Sequence, residues 1–132
     1  MDDDSKKGKP PAYMRYVKDW LASPTRRLFS KAARSAYTDL LDTCWDSINM
    51  EADLGPNIPY DMEELRILAD CTLDEWKEFG EKVVSNFKLY PGKEEEFRTN
   101  QKLMDQWIKM KDKRENQSIR GKKGAAARWQ KT

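Results

Sequence analysis

Residues 61–75 constrain this chain most, because they set two helix starts only eleven positions apart. Asp61 is followed three residues on by Glu64, and Thr72 three residues on by Glu75. At that spacing the first side chain accepts from a free amide of the opening turn while the acid reaches back to the cap. The first helix has Leu65, Leu68 and Ala69 to bury; the second has Trp76, Phe79, Val83 and Phe87 at helical spacing. Only Cys71 lies between the first helix and the cap of the second. Two helices joined so closely must turn sharply against each other, as in a helix-turn-helix.

The flanks supply further elements. Ser30 opens the longest periodic stretch, with apolar Ala33, Ala36, Tyr37, Leu40, Leu41, Cys44, Trp45 and Ile48 on one side and Arg34, Thr38, Asp39, Asp42 and Asp46 on the other. Cys44 reads as core filler on that stripe. "NMEADLGPNIPY" then breaks the period with Gly55, Pro56 and Pro59. Before Ser30, "AYMRYVKDWLAS" roughly alternates apolar and charged residues, which predicts a short strand. Beyond the second capping box, Phe87, Leu89 and Phe97 flank Pro91-Gly92 and the acids Glu94 to Glu96, which predicts a hairpin. A last helix from about Asn100 carries Leu103, Trp107 and Ile108 and becomes almost wholly charged from Lys109. The expected fold is mainly α with a small β-hairpin wing. It comprises a leader over 1–11, a winged helix-turn-helix domain over 12–108 and a basic C-terminal helical arm over 109–132.

Composition narrows the function classes. Five tryptophans in 132 residues argue for a real core in one domain. Two cysteines and no histidine leave neither a zinc ligand set nor a disulfide framework, so no metal or cofactor is expected. No apolar run approaches the ~20 residues of a membrane span. The charged, proline-bearing start "MDDDSKKGKPP" has no signal-peptide h-region, and a reduced cytoplasmic setting is expected. Without histidine, acid–base catalysis would need carboxylates, Lys or Tyr in a defined pocket. The acidic runs Asp2 to Asp4 and Glu94 to Glu96 fall instead in leader and turn, and Gly121 and Gly124 lack phosphate-loop spacing. Neither an enzyme nor a small-molecule substrate is expected.

The net charge of +2 conceals an asymmetry. From Lys109 onward there are nine Lys/Arg against Asp112 and Glu115, while residues 1–108 hold 16 cations and 21 acids. A basic end on an acidic body points to a polyanion partner. The second helix of the pair is unpromising as a reader of DNA, since Lys77 and Lys82 face Glu78 and Glu81. Its wing is acidic too. The candidate nucleic-acid contacts are Arg26, Arg27 and Lys31 around the start of the long helix and Lys77 and Lys82 on the second helix. In the arm they are Arg120, Lys122, Lys123, Arg128, Trp129 and Lys131.

On a helix, Arg120, Lys123, Arg128 and Lys131 share one arc and Ile119, Ala125, Ala126 and Trp129 the other, with Lys122 intruding there and Ser118 as a cap. Gly121 and Gly124 would each cost such a helix about 1 kcal/mol. That predicts an arm disordered alone and ordered when bound. Trp129 could stack on a base or pack into a protein groove, and both stay open.

"YVKDWLA", "SAYTDLLDTCW", "PYDMEELRILADCTLDEW" and "TNQKLMDQW" resemble, in order and spacing, the YdaU-like family of phage and prophage proteins, a domain of unknown function. The matching positions are Tyr16, Asp19, Trp20 and Leu21, then Ala36, Tyr37, Leu40 and Leu41. Pro59, Asp61, Thr72, Glu75, Trp76, Asn100 and Leu103 continue the match. Ile58 stands where that pattern has Leu, Met104 where it often has Asp, and "NMEADLGPN" is a longer loop. The resemblance implies a winged helix, no enzyme activity and a role in phage or prophage DNA replication in a bacterial host. DNA and a replication helicase or loader protein are the partners it implies. A protein-interaction module, or an inhibitor occupying a nucleic-acid-processing protein, is the alternative expectation.

Overall fold

The stretch around Trp20 is helical, not extended. In the computed structural model of the chain the described residues are 8–130, with side chains described as far as residue 121. Two short helices, α1 (Val17–Ala22) and α2 (Pro24–Leu28), are separated by Ser23 alone. The apolar alternation that suggested a strand has another cause. Trp20 turns inward and stacks on Tyr37 at 5.6 Å between ring centroids, while Tyr16, Val17 and Leu21 stay exposed. Pro24 at the first turn of α2 suits a helix start, where its missing N–H has no intrahelical partner to lose.

Helix α3 (Lys31–Asp46) follows, capped by the Ser30 hydroxyl, which accepts from the Ala33 amide at 3.2 Å. Its inward stripe is the one the periodicity predicts, with Ala33, Ala36, Leu40, Leu41, Cys44 and Trp45 buried. The described part of the leader is tied to the far end of α3. The Trp45 indole donates to the Pro10 carbonyl at 2.9 Å, and the Lys9 ammonium meets the Asp46 carboxylate at 2.8 Å.

Strand β1 (Ile58–Pro59) leads into α4 (Met62–Leu68) and α5 (Leu73–Val84). Both expected caps are present: Asp61 accepts from the Glu64 amide, and Thr72 and Glu75 form a reciprocal capping box. The sharp turn between them has a second device. Asp70 takes a left-handed conformation (φ 54°), so the Cys71 amide donates to the Arg66 carbonyl and the Asp70 amide to that of Ile67. These are the two bonds of a Schellman closure. Leu65 and Ala69 are buried as expected, but Leu68 is exposed.

Strands β2 (Lys88–Leu89) and β3 (Phe97–Thr99) pair antiparallel around the Pro91-Gly92 turn, with Gly92 at φ 85°. The hairpin gains a partner that periodicity does not reveal. β1 pairs with β3, Ile58 opposite Arg98 and Pro59 opposite Phe97, so the sheet order is β1-β3-β2. Pro59 is tolerated because β1 is an edge strand.

Helix α6 (Gln101–Gln130) closes the core. Asn100 caps it, accepting from the Leu103 amide at 3.2 Å. Leu103, Met104 and Trp107 are buried, whereas Ile108 lies on the outer side of the helix and is exposed. Trp107 lies flat on Gly55, where a Cβ would come within 2.6 Å of the indole. That contact fixes a small residue at the end of the long loop. Among the described residues no helix is long and apolar enough to cross a membrane.

Candidate nucleic-acid interface

The candidate contacts with described side chains occupy three separate regions. Arg26 and Arg27 end α2 and Lys31 begins α3, so the two-residue connection Phe29-Ser30 gathers them at one edge. Arg27 and Lys31 are exposed; Arg26 is half-buried. Arg34 holds this corner from beneath, its Nε donating to the carbonyls of Arg26 at 2.9 Å and Phe29 at 3.2 Å. Thr25 and Asn86 side-chain oxygens lie 3.4 Å apart, which sets this corner beside the C-terminal end of α5.

The second region is α5. Lys77 and Lys82 are exposed, but so are Asp74, Glu78 and Glu81 on the same helix. Acids therefore outnumber bases there, and the helix offers a polyanion no net attraction. The hairpin tip adds to this. Amides of Glu94 and Gly92 hold the Glu94 carboxyl below the usual carboxylate range, so Glu94 keeps its negative charge into acid conditions. Lys93 is paired with Glu96 at 3.9 Å.

The third region is α6. The expected arm is not a separate helix starting at Ser118; it continues the helix that begins in the core, and Ser118 lies in its interior. The reason is cooperative. A helix already nucleated on a packed face adds residues one at a time, and two glycines cost too little to stop it. The first arm cations serve the body: Lys111 pairs with Asp53 and lies 4.2 Å above the Trp107 ring, and Arg114 donates to the Gly8 carbonyl at 3.1 Å. From Glu115 to Gly121 every residue is exposed.

One face of α6, running from its packed part onto this projecting segment, carries Lys109, Lys113, Asn116 and Arg120, with Asp112 at its edge. Arg120 was expected as a contact; Lys109 and Lys113 were not. Their i, i+4 spacing is readable in the sequence once the helix is known to run unbroken from Gln101. Lys122, Lys123, Arg128 and Trp129 lie on helical backbone, their side chains outside the described part, and Lys131 lies outside the described residues.

A recess of about 340 Å³ opens between α1 and the start of α6, lined by Met14, Tyr16, Trp20 and Tyr37 among others. Its amides serve the fold. Gln106 exchanges two hydrogen bonds with the Met14 backbone, each 2.8 Å, and Asn100 donates to the Asn86 carbonyl at 3.2 Å. Comparison with family models, curated proteins and solved structures returned no match.

Proposed function

We propose that this protein is a non-catalytic DNA-binding module of winged-helix architecture, with phosphate contacts made by its basic C-terminal helix and not by α5. The observation that carries this is the exposed stripe of Lys109, Lys113 and Arg120 on a helix that leaves the body. Sixteen residues from Glu115 to Gln130 extend about 24 Å at helical rise. That length can lie along or across a duplex while the acidic body stays clear. The order α3-β1-α4-α5-β2-β3, with β1 closing on β3, supports the winged-helix reading. The resemblance to YdaU-like proteins supports placing the module in phage or prophage DNA replication, in the bacterial cytoplasm and beside a helicase or loader protein.

Fluorescence anisotropy of labelled duplex and single-stranded DNA against the full chain tests this reading. Saturable binding at low ionic strength that weakens as salt is raised is expected; absence of binding at low salt contradicts it. A second reading, a protein-interaction module or an inhibitor of a nucleic-acid-processing protein, is favoured by the exposed apolar side chains of α1 and α2.

A further inference from the structure

Helices α1 and α2 bury no residue completely, although they contain six and five residues respectively. Helices this short are not stable alone and depend on what they pack against. The body holds them through the Trp20–Tyr37 stack, the Thr25–Asn86 contact and the Arg34 side chain, which donates to the Arg26 carbonyl. Val17 and Leu21, one helical turn apart, stay exposed, as does Leu28. Of the twelve exposed large hydrophobic side chains among the described residues, five fall between Met14 and Leu28, including Val17 at 66% and Leu28 at 84% exposure. An apolar surface concentrated in this way marks an interaction site.

The surrounding charge states what would cover it. Between Met14 and Lys31 there are five cations, Arg15, Lys18, Arg26, Arg27 and Lys31, against the single acid Asp19. This is the reverse of the body as a whole, where acids outnumber bases. Nucleic acid would satisfy the cations and leave Val17, Leu21 and Leu28 in water. An anionic bilayer would cover those side chains as well, so vesicles are an arm of the test; the recess lies on another side of α1, lined by Tyr16, Asp19 and Trp20 and not by Val17, Leu21 or Leu28. A polypeptide helix with an apolar stripe and acidic flanks satisfies both features, its stripe on the apolar side chains and its acids on the basic rim.

We infer that the α1–α2 face is a docking surface for an acidic amphipathic helix of a partner protein. The inference does not rest on DNA binding by α6, and either can fail without the other.

The test titrates the full chain into a fluorescent peptide of about 18 residues, five helical turns, with Leu and one Trp at every third or fourth position and Glu elsewhere. Saturable micromolar binding is expected, lost when Lys replaces Glu and lost when the same composition is scrambled. Val17→Ser with Leu21→Ser, and separately Arg27→Glu, should each weaken binding about tenfold or more. Because these side chains are exposed, the variants keep the fold, which circular dichroism verifies. Ile67→Ser, an equally exposed apolar side chain on α4, should bind as the parent does. Three outcomes would overturn the inference. One is no saturable binding of the acidic peptide, and another is equal binding of the scrambled or Lys peptide. The third is capture of phosphatidylglycerol vesicles or DNA that the Val17 and Leu21 substitutions abolish while peptide binding is unchanged.

Discussion

Single side chains in this protein are set by contacts that local propensity does not anticipate. Gly80 sits within α5, where alanine would ordinarily gain about 1 kcal/mol. Yet a Cβ at Gly80 would lie 2.6 Å from the Trp76 ring, and overpacking costs about 1–3 kcal/mol. The steric cost prevails, so Gly80→Ala should lower the thermal midpoint, measured by circular dichroism or calorimetry. Cys44 shows the same dependence on surroundings. Burial pushes its thiol up to about 12, so below the ordinary thiol range of roughly 8.5 it is fully neutral and its packing contribution fully present. That contribution declines only as pH rises toward the folded value. At pH near 8, Cys44 should therefore resist a thiol reagent in the native protein and react promptly in denaturant. Mass spectrometry of labelled peptides measures both. Fast native labelling of Cys44 would contradict its place in the core.

Elements were legible in the sequence where their signals are local. The caps Ser30, Asp61 and Thr72, the buried stripe of α3 and the Pro91-Gly92 turn all follow from spacing and side-chain chemistry, and all are present. What was not legible depends on distant partners. Nothing near Ile58 announces that it will pair with Arg98, forty residues away. Nothing in the α1 stretch distinguishes a strand from a helix until Trp20 meets Tyr37. The arm depends on a distant cause too: taken alone its glycines weigh against a self-nucleating helix, whereas α6 is nucleated on the core. Gly121 has no neighbour within 4 Å of a built Cβ, so the ordinary propensity gain should appear there undiminished. Gly121→Ala should raise helical ellipticity and stabilise the projecting segment by about 1 kcal/mol, the opposite sign to Gly80→Ala. A loss of helicity would mean the arm is held by something other than its own backbone.

At the scale of the molecule, charge is divided between two parts that one helix joins. The body is acidic, its α5 and hairpin tip especially so, while the basic stripe runs along α6 from Lys109 onto the part that leaves the core. The candidate site was half legible: the basic end stands out in composition, but the stripe from Lys109 to Arg120 appears only with an unbroken helix. Candidates scattered at Lys77 and Lys82 are not brought to it.

The most direct measurement is the salt dependence of duplex binding for the full chain and for a chain ending at Ser118. The shortened chain lacks Arg120, Lys122, Lys123, Arg128 and Lys131. Each phosphate contact contributes about 0.9 to the slope of log K against log salt, so the slope should become shallower by up to about 4.5. Equal slopes for the two chains would remove the projecting helix from the interface and contradict the proposal.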